Sequence, residues 1–116
     1  MNIVLKRIYD EPGHNDGTRV LVDRVWPRGM RKEDAHIDAW NKDVAPSSAL
    51  RKWYGHDPEK FDEFASRYRE ELDTQEGRAA LSDLRESVKG KRLTLVTATK
   101  DIEHSQAAVL AEILGD

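Results

Sequence analysis

With 116 residues, 38% apolar and 35% charged, the chain has the length of one small domain and can build one hydrophobic core but not two. The formal net charge is −3, and the absence of cysteine excludes thiol nucleophiles, disulfides and thiolate-based metal sites. The four histidines (His14, His36, His56, His104) have no metal-ligand spacing, so neither a metal nor a cofactor is expected.

The charge is unevenly spread. Residues 1–60 carry 11 Lys/Arg against 10 Asp/Glu, and residues 61–116 carry 8 against 12. Between Arg19 and Lys32 there are five cations and a single acid, Asp23. Such local positive charge suits one compact anion, whereas duplex nucleic acid needs an extended basic face and is not an expected partner. The N-terminus turns charged at Lys6, too early for a signal peptide, and no apolar run approaches the ~20 residues of a membrane helix. The expected location is the cytoplasm, away from membranes. The sequence sets no oligomeric state.

Ile3 to Ile8 is a β-branched run that reads as a first strand, ended by Pro12-Gly13 and the polar stretch to Gly17. About ten residues separate it from the next run, too few for a helical crossover. Neighbouring strands joined so closely would be antiparallel; if they are parallel, another strand must lie between them. The second run, Arg19 to Trp26, has aliphatics on both faces and predicts a strand covered on both sides. Pro27 is expected to end it, and Gly29 allows a tight turn beyond. Arg31 to Asn41 carries no clear period.

Ser47 and Gly55 bracket a short helix as N-cap and C-terminal stop. Asp57-Pro58 opens the next, in which Phe61, Phe64, Ala65, Tyr68 and Leu72 form one apolar stripe. Thr74 caps a further helix with Leu81, Leu84 and Val88 inward. Leu93 to Ala98 predicts a central strand, and Asp101 is the expected cap of a last helix from about Ile102 to Leu114. Together these elements predict a single α/β domain over residues 1–116, with a small mixed, largely parallel sheet, helices on both faces and three layers.

In open α/β sheets ligands bind beyond the carboxyl ends of the strands. Two loops have that position, Trp26 to Gly29 and Thr97 to Asp101. Arg24, Arg28 and Lys100 would converge there on a phosphate, sulfate or carboxylate if the two strands are parallel neighbours. Trp26 and Trp53, beside cations in turns, are candidate pocket walls, and Trp40 is expected in the core. Alternatively Arg24 pairs with an acid such as Asp23 or Asp43, and Arg28, Arg31 and Lys32 form a solvated loop. Asp23, Asp101 and His104 are the candidates for orienting water or a proton. His56 is the other acid–base candidate among the histidines, and for it, as for His104, a structural or solvent role is the better reading. No P-loop, dinucleotide fingerprint or Gly-x-Ser-x-Gly occurs.

The motifs Arg7-Ile8-Tyr9-Asp10, Val22-Asp23-Arg24-Val25-Trp26-Pro27-Arg28-Gly29, Ala45-Pro46-Ser47 and Leu50-Arg51-Lys52 resemble the bacterial family called domain of unknown function 488, in its YeaO-like branch. The block around Pro27 carries most of this likeness, and the match runs over nearly the full length. The resemblance implies a small cytoplasmic α/β protein and no established activity. Some YeaO-like members have an Asn-His pair where this chain has Ser105-Gln106, and a more distant branch has cysteines after the last strand; neither is present here.

The leading expectation is therefore a small anionic, phosphate-bearing ligand, held by Arg24, Arg28 and Lys100 between Trp26 and Trp53. A non-enzymatic module docking on a protein or a single-stranded nucleic acid is the first alternative. A hydrolase or group-transfer enzyme is the second, without a complete nucleophile and base behind it.

Overall fold

The computed structural model describes residues 2–115. Strands β1 (Asn2–Arg7), β2 (Thr18–Leu21), β3 (Ala39–Trp40) and β4 (Arg92–Thr97) form one sheet in the order β1-β4-β2-β3, and every pairing is parallel. Five α-helices accompany them: α1 (Lys32–Ala35), α2 (Ser48–Tyr54), α3 (Phe61–Leu72), α4 (Gln75–Ser87) and α5 (Gln106–Gly115). The expected α/β class holds, with a sheet that is wholly parallel. None of the described helices is long and apolar enough to cross a membrane.

The short link from β1 to β2 is accommodated because the last strand slots between them. Leu95 of β4 faces Leu5 on one side and Val20 on the other. Entry into β2 runs so close to β4 that a Cβ on Gly17, at φ +68°, would stand 2.3 Å from the Arg92 carbonyl oxygen. Only glycine fits there without strain.

One face of the sheet carries the larger core. Val20, Val22, Leu93 and Leu95 pack against Leu50 of α2, Phe64 and Tyr68 of α3, Leu84 of α4 and Leu110 of α5. On the opposite face Ile8, Leu21 and Val96 pack beneath Ala35 of α1, with Trp26, Met30 and Ile37 beside them. Val20, Leu21 and Val22 have no exposed surface at all, as expected of a strand covered on both sides.

Three of the four expected helix caps form. Ser47 Oγ accepts from Leu50 N at 3.1 Å, Asp57 Oδ1 from Glu59 N at 3.1 Å and Thr74 Oγ1 from Gly77 N at 3.1 Å. Glu71 of α3 holds α2 from outside, accepting from Ser47 N at 2.8 Å and Ser47 Oγ at 2.6 Å.

Three expectations are corrected. The β2 ladder ends at Leu21, with one further bond from Val22 N to Val96 O at 3.0 Å, rather than running to Pro27. Beyond that point β4 stops at Thr97 and β3 has only two residues, so no partner remains to pair with. Trp26 consequently sits with Leu21 in the smaller core, not on the Val20 and Val22 face. Trp40 ends the edge strand, 37% exposed, and its Nε1 donates to the Asp23 carbonyl at 2.6 Å. The last helix is split: a 3-10 turn over Ile102–His104 precedes α5, and the Asp101 side chain caps neither.

Candidate functional site

Past the carboxyl ends of β2 and β4 lies a pocket of roughly 630 Å³. The parallel pairing of these two strands brings the loops after them together, as the sequence argument required. Asp23, Arg24, Trp26, Arg28, Lys100, Asp101 and His104 all line it. Trp53 does not. It faces away on α2, where the Arg67 guanidinium lies 4.4 Å and the Lys60 ammonium 5.2 Å from its ring.

Asp23 anchors the floor. Its Oδ1 accepts from Thr97 Oγ1 at 2.7 Å and Gln106 Nε2 at 2.6 Å, and its Oδ2 accepts from Ala98 N at 2.8 Å. Burial pushes its carboxyl above the ordinary aspartate value, while those three hydrogen bonds and the nearby Arg51 charge pull the other way.

Arg24 lines the pocket and is also engaged with the protein itself. Its Nε donates to the Pro46 carbonyl at 2.9 Å and its Nη2 to the Ala45 carbonyl at 3.0 Å, so it fastens the loop before α2 to the end of β2. Neither Asp23 nor Asp43 pairs with it among the described residues. Pro46 then lines the pocket. Arg24 lends the site charge, but two of its donor positions are engaged.

Arg28 is carried at the tip of a tight turn. Met30 N reaches Pro27 O at 3.3 Å, and Gly29 takes φ +78°, the left-handed geometry that a type II turn demands at its third residue. Trp26 Nε1 donates to Met30 O at 2.7 Å within the loop, and Tyr9 Oη, just past β1, donates to Arg28 O at 3.1 Å. Trp26 meets Trp40 edge-on at 5.4 Å.

Arg51, Tyr54 and Phe64 also line the pocket, and none of them was singled out as a site residue from the sequence. Arg51 and Tyr54 stand one turn apart on α2, a spacing that was legible; which side of the helix faces the strand ends was not. Tyr54 stacks on Phe64 at 4.2 Å and 16°, and Phe64 on Tyr68 at 5.7 Å, so the pocket wall is continuous with the core. Tyr54 Oη donates to the His104 carbonyl at 2.6 Å, and burial raises its phenol above the ordinary value, with the Asp101 and Asp57 charges adding to the effect.

Asp101 Oδ2 lies 2.8 Å from His104 Nδ1, and the imidazole stands edge-on to Phe61 at 5.2 Å. A carboxylate fixing one ring nitrogen is the orienting half of an acid–base arrangement. Ser105, which also lines the pocket, is buried and its Oγ donates to the Ile102 carbonyl at 2.7 Å, so it is not presented as a nucleophile. No cluster of three or more His, Asp or Glu able to hold a metal ion occurs among the described residues.

Arg28, Arg51 and Lys100 are exposed at the mouth of this pocket. Among the described residues none of the three forms a salt bridge, whereas Arg31, Arg67, Arg69 and Arg78 elsewhere on the surface each pair with an acid.

A parallel α/β sheet covered by helices, with a cation-rimmed pocket beyond its strand ends, defines the class of protein. The chain belongs to the DUF488 family: it matches the family described as "Inactive DUF488-N3 subclade" over residues 2–116. It is 54% identical over 108 residues to the uncharacterized protein Rv3073c of Mycobacterium tuberculosis (strain H37Rv), covering 93% of this chain and 89% of that one. It is also 40% identical over 116 residues to the uncharacterized protein YeaO of Escherichia coli (strain K12), covering 98% of this chain and 97% of that one. No solved structure matches it.

Proposed function

We infer that this chain binds a small anionic, phosphate-bearing ligand in the pocket beyond β2 and β4. The observation that carries the reading is the set of three cations, Arg28, Arg51 and Lys100, without a salt-bridge partner among the described residues, around one concave site. Arg28 and Arg51 offer guanidinium forks that fit phosphate oxygens, and Lys100 adds a point charge. Arg24 acts mainly as a strut for the Ala45-Pro46 segment and contributes long-range field. Trp26 supplies one wall.

The role is binding, not turnover. Asp101 and His104 could orient water or a proton, but the Ser105 hydroxyl is spent on the Ile102 carbonyl, and the family description "inactive" supports the same side of the choice. The test is a thermal-shift titration of the wild type and Arg28→Ala with phosphate. A bound ligand raises apparent stability by about 2.7 kcal/mol at a hundredfold excess over its dissociation constant. A shift in the wild type that Arg28→Ala loses, with its unliganded midpoint unchanged, supports the reading. Equal shifts in the two proteins would refute it.

A further inference from the structure

Resting on that anion-binding reading, we propose that the ligand is a nucleoside monophosphate, or a nucleotide of the same build, with its phosphate at the cationic mouth and its base against the aromatic wall and the acceptor-lined floor. Size is the first argument. A volume of roughly 630 Å³ falls within the ~300–1,000 Å³ typical of sites for organic ligands of moderate size, far more than a bare phosphate needs.

Polarity along the pocket is the second. The three unpaired cations are exposed, while the carboxylate of Asp23 lies half-buried beneath them. Like charges repel strongly where water is scarce, so a phosphate rests at the mouth and the floor meets an uncharged part of the ligand. That floor offers acceptors. Among the described residues Asp23 Oδ2 accepts a single hydrogen bond, from Ala98 N. Gln106 uses its Nε2 toward Asp23 and Thr97, which turns its amide oxygen into an acceptor with no protein donor among the described residues. A group presenting N–H donors satisfies both, as the edge of a nucleobase does.

The apolar wall distinguishes a base from a simple sugar phosphate. Val25, Trp26, Tyr54 and Phe64 all line the pocket, apolar surface suited to the face of a planar ring. The large apolar side chains left exposed among the described residues, Tyr9, Val25 and Trp40, all border the same loop. Val25 lines the pocket, Tyr9 bonds the Arg28 carbonyl and Trp40 bonds the Asp23 carbonyl.

The deciding experiment is calorimetric titration at fixed ionic strength with inorganic phosphate, ribose 5-phosphate, the four ribonucleosides and their 5′-monophosphates. At least one monophosphate should bind about tenfold or more tighter than ribose 5-phosphate, the increment expected of one stacked base. Val25→Ser, which alters a side chain 55% exposed and so leaves the fold intact, should remove much of that increment without changing ribose 5-phosphate affinity. Arg28→Ala should weaken both phosphates. Monophosphates binding no tighter than ribose 5-phosphate would overturn the nucleotide assignment and leave the anion reading standing. Nucleosides binding as tightly as their monophosphates would overturn the placement of the phosphate on the cations, and failure of every phosphate to bind would remove both readings.

Discussion

Gln106 at the start of α5 donates through Nε2 to Asp23 Oδ1 at 2.6 Å, joining the end of β2 to a residue 83 positions later in the sequence. The contact closes the floor of the pocket and fixes a carboxyl that burial holds above its ordinary value of 3.8. For a raised acid, the folded state binds the proton more tightly than the unfolded state. Its contribution to stability is therefore complete below 3.8 and is lost as pH rises through the folded value. Asp23→Asn should be less stable than the wild type, because an amide cannot accept from Gln106, Thr97 and Ala98 N together. The gap should narrow as pH rises from 4 toward 7, since only the wild type carries the titrating group. Urea unfolding of both proteins across that range checks the sign; a gap widening with pH would contradict it.

Arg24 holds the Ala45-Pro46 segment through two carbonyls. Removing its guanidinium leaves both acceptors part-buried and without that donor, which costs about 1–3 kcal/mol. Arg24→Met keeps the aliphatic stem and should show this loss in urea denaturation. Anion affinity should fall less in this variant than in Arg28→Ala, because the Arg28 guanidinium makes no comparable contact among the described residues. A larger affinity loss for Arg24→Met than for Arg28→Ala would assign the anion to Arg24.

Local signals in the sequence reached as far as local physics reaches. Ser47, Asp57 and Thr74 cap because each is a short polar side chain beside a helix-forming run, and those bonds form within three residues. The covering of Val20 to Val22 on both faces was legible from their uninterrupted apolar character. The end of β2 was not, because it is set by where β4 stops, some 75 residues away. The same holds for Trp40 and Trp53. Large aromatics read as core or pocket from composition alone, but an edge position and two nearby cations decided their surroundings. Arg28 and Lys100 could be brought to the site by the rule for parallel sheets, whereas Arg51 and Tyr54 depended on how α2 is rolled against the strand ends. Arg24 illustrates a further limit: its position at the site followed from the strand, and its hydrogen-bond partners came from a loop with no recognisable period.

Asp16 titrates with the opposite sign to Asp23. Burial alone would raise its carboxyl, but Lys6 at 2.7 Å, the Gly13 N–H at 2.9 Å and Arg19 at 2.6 Å outweigh it and hold the value at about 2. Stability from a depressed acid is complete above 3.8 and lost as pH falls toward 2. Arg19 is itself buried, with its Nε on the His36 carbonyl at 2.7 Å. Asp16→Asn strands that guanidinium charge and should cost about 3 kcal/mol at pH 7. The difference from the wild type should shrink between pH 4 and pH 2. Thermal unfolding midpoints of the two proteins that stay equally far apart over that interval would rule out the pairing as its source.

Gly77 sets two effects against each other at the start of α4. Alanine is the better helix former by about 1 kcal/mol, so substitution at an open helical position would stabilise. Here a Cβ would stand 2.6 Å from the Leu72 Cα and 2.6 Å from the Glu71 carbonyl oxygen, because the short Asp73-Thr74 link brings the end of α3 against this turn. Both contacts are backbone and cannot rotate away. The Thr74 hydroxyl, which accepts from Gly77 N at 3.1 Å, would be displaced by any shift that relieved them. Steric cost of about 1–3 kcal/mol therefore exceeds the gain in propensity. Gly77→Ala should lower the urea midpoint, while Ser82→Ala, at an exposed position of the same helix, should leave it unchanged or raise it slightly. A rise in both variants would mean that α3 and α4 can part without loss.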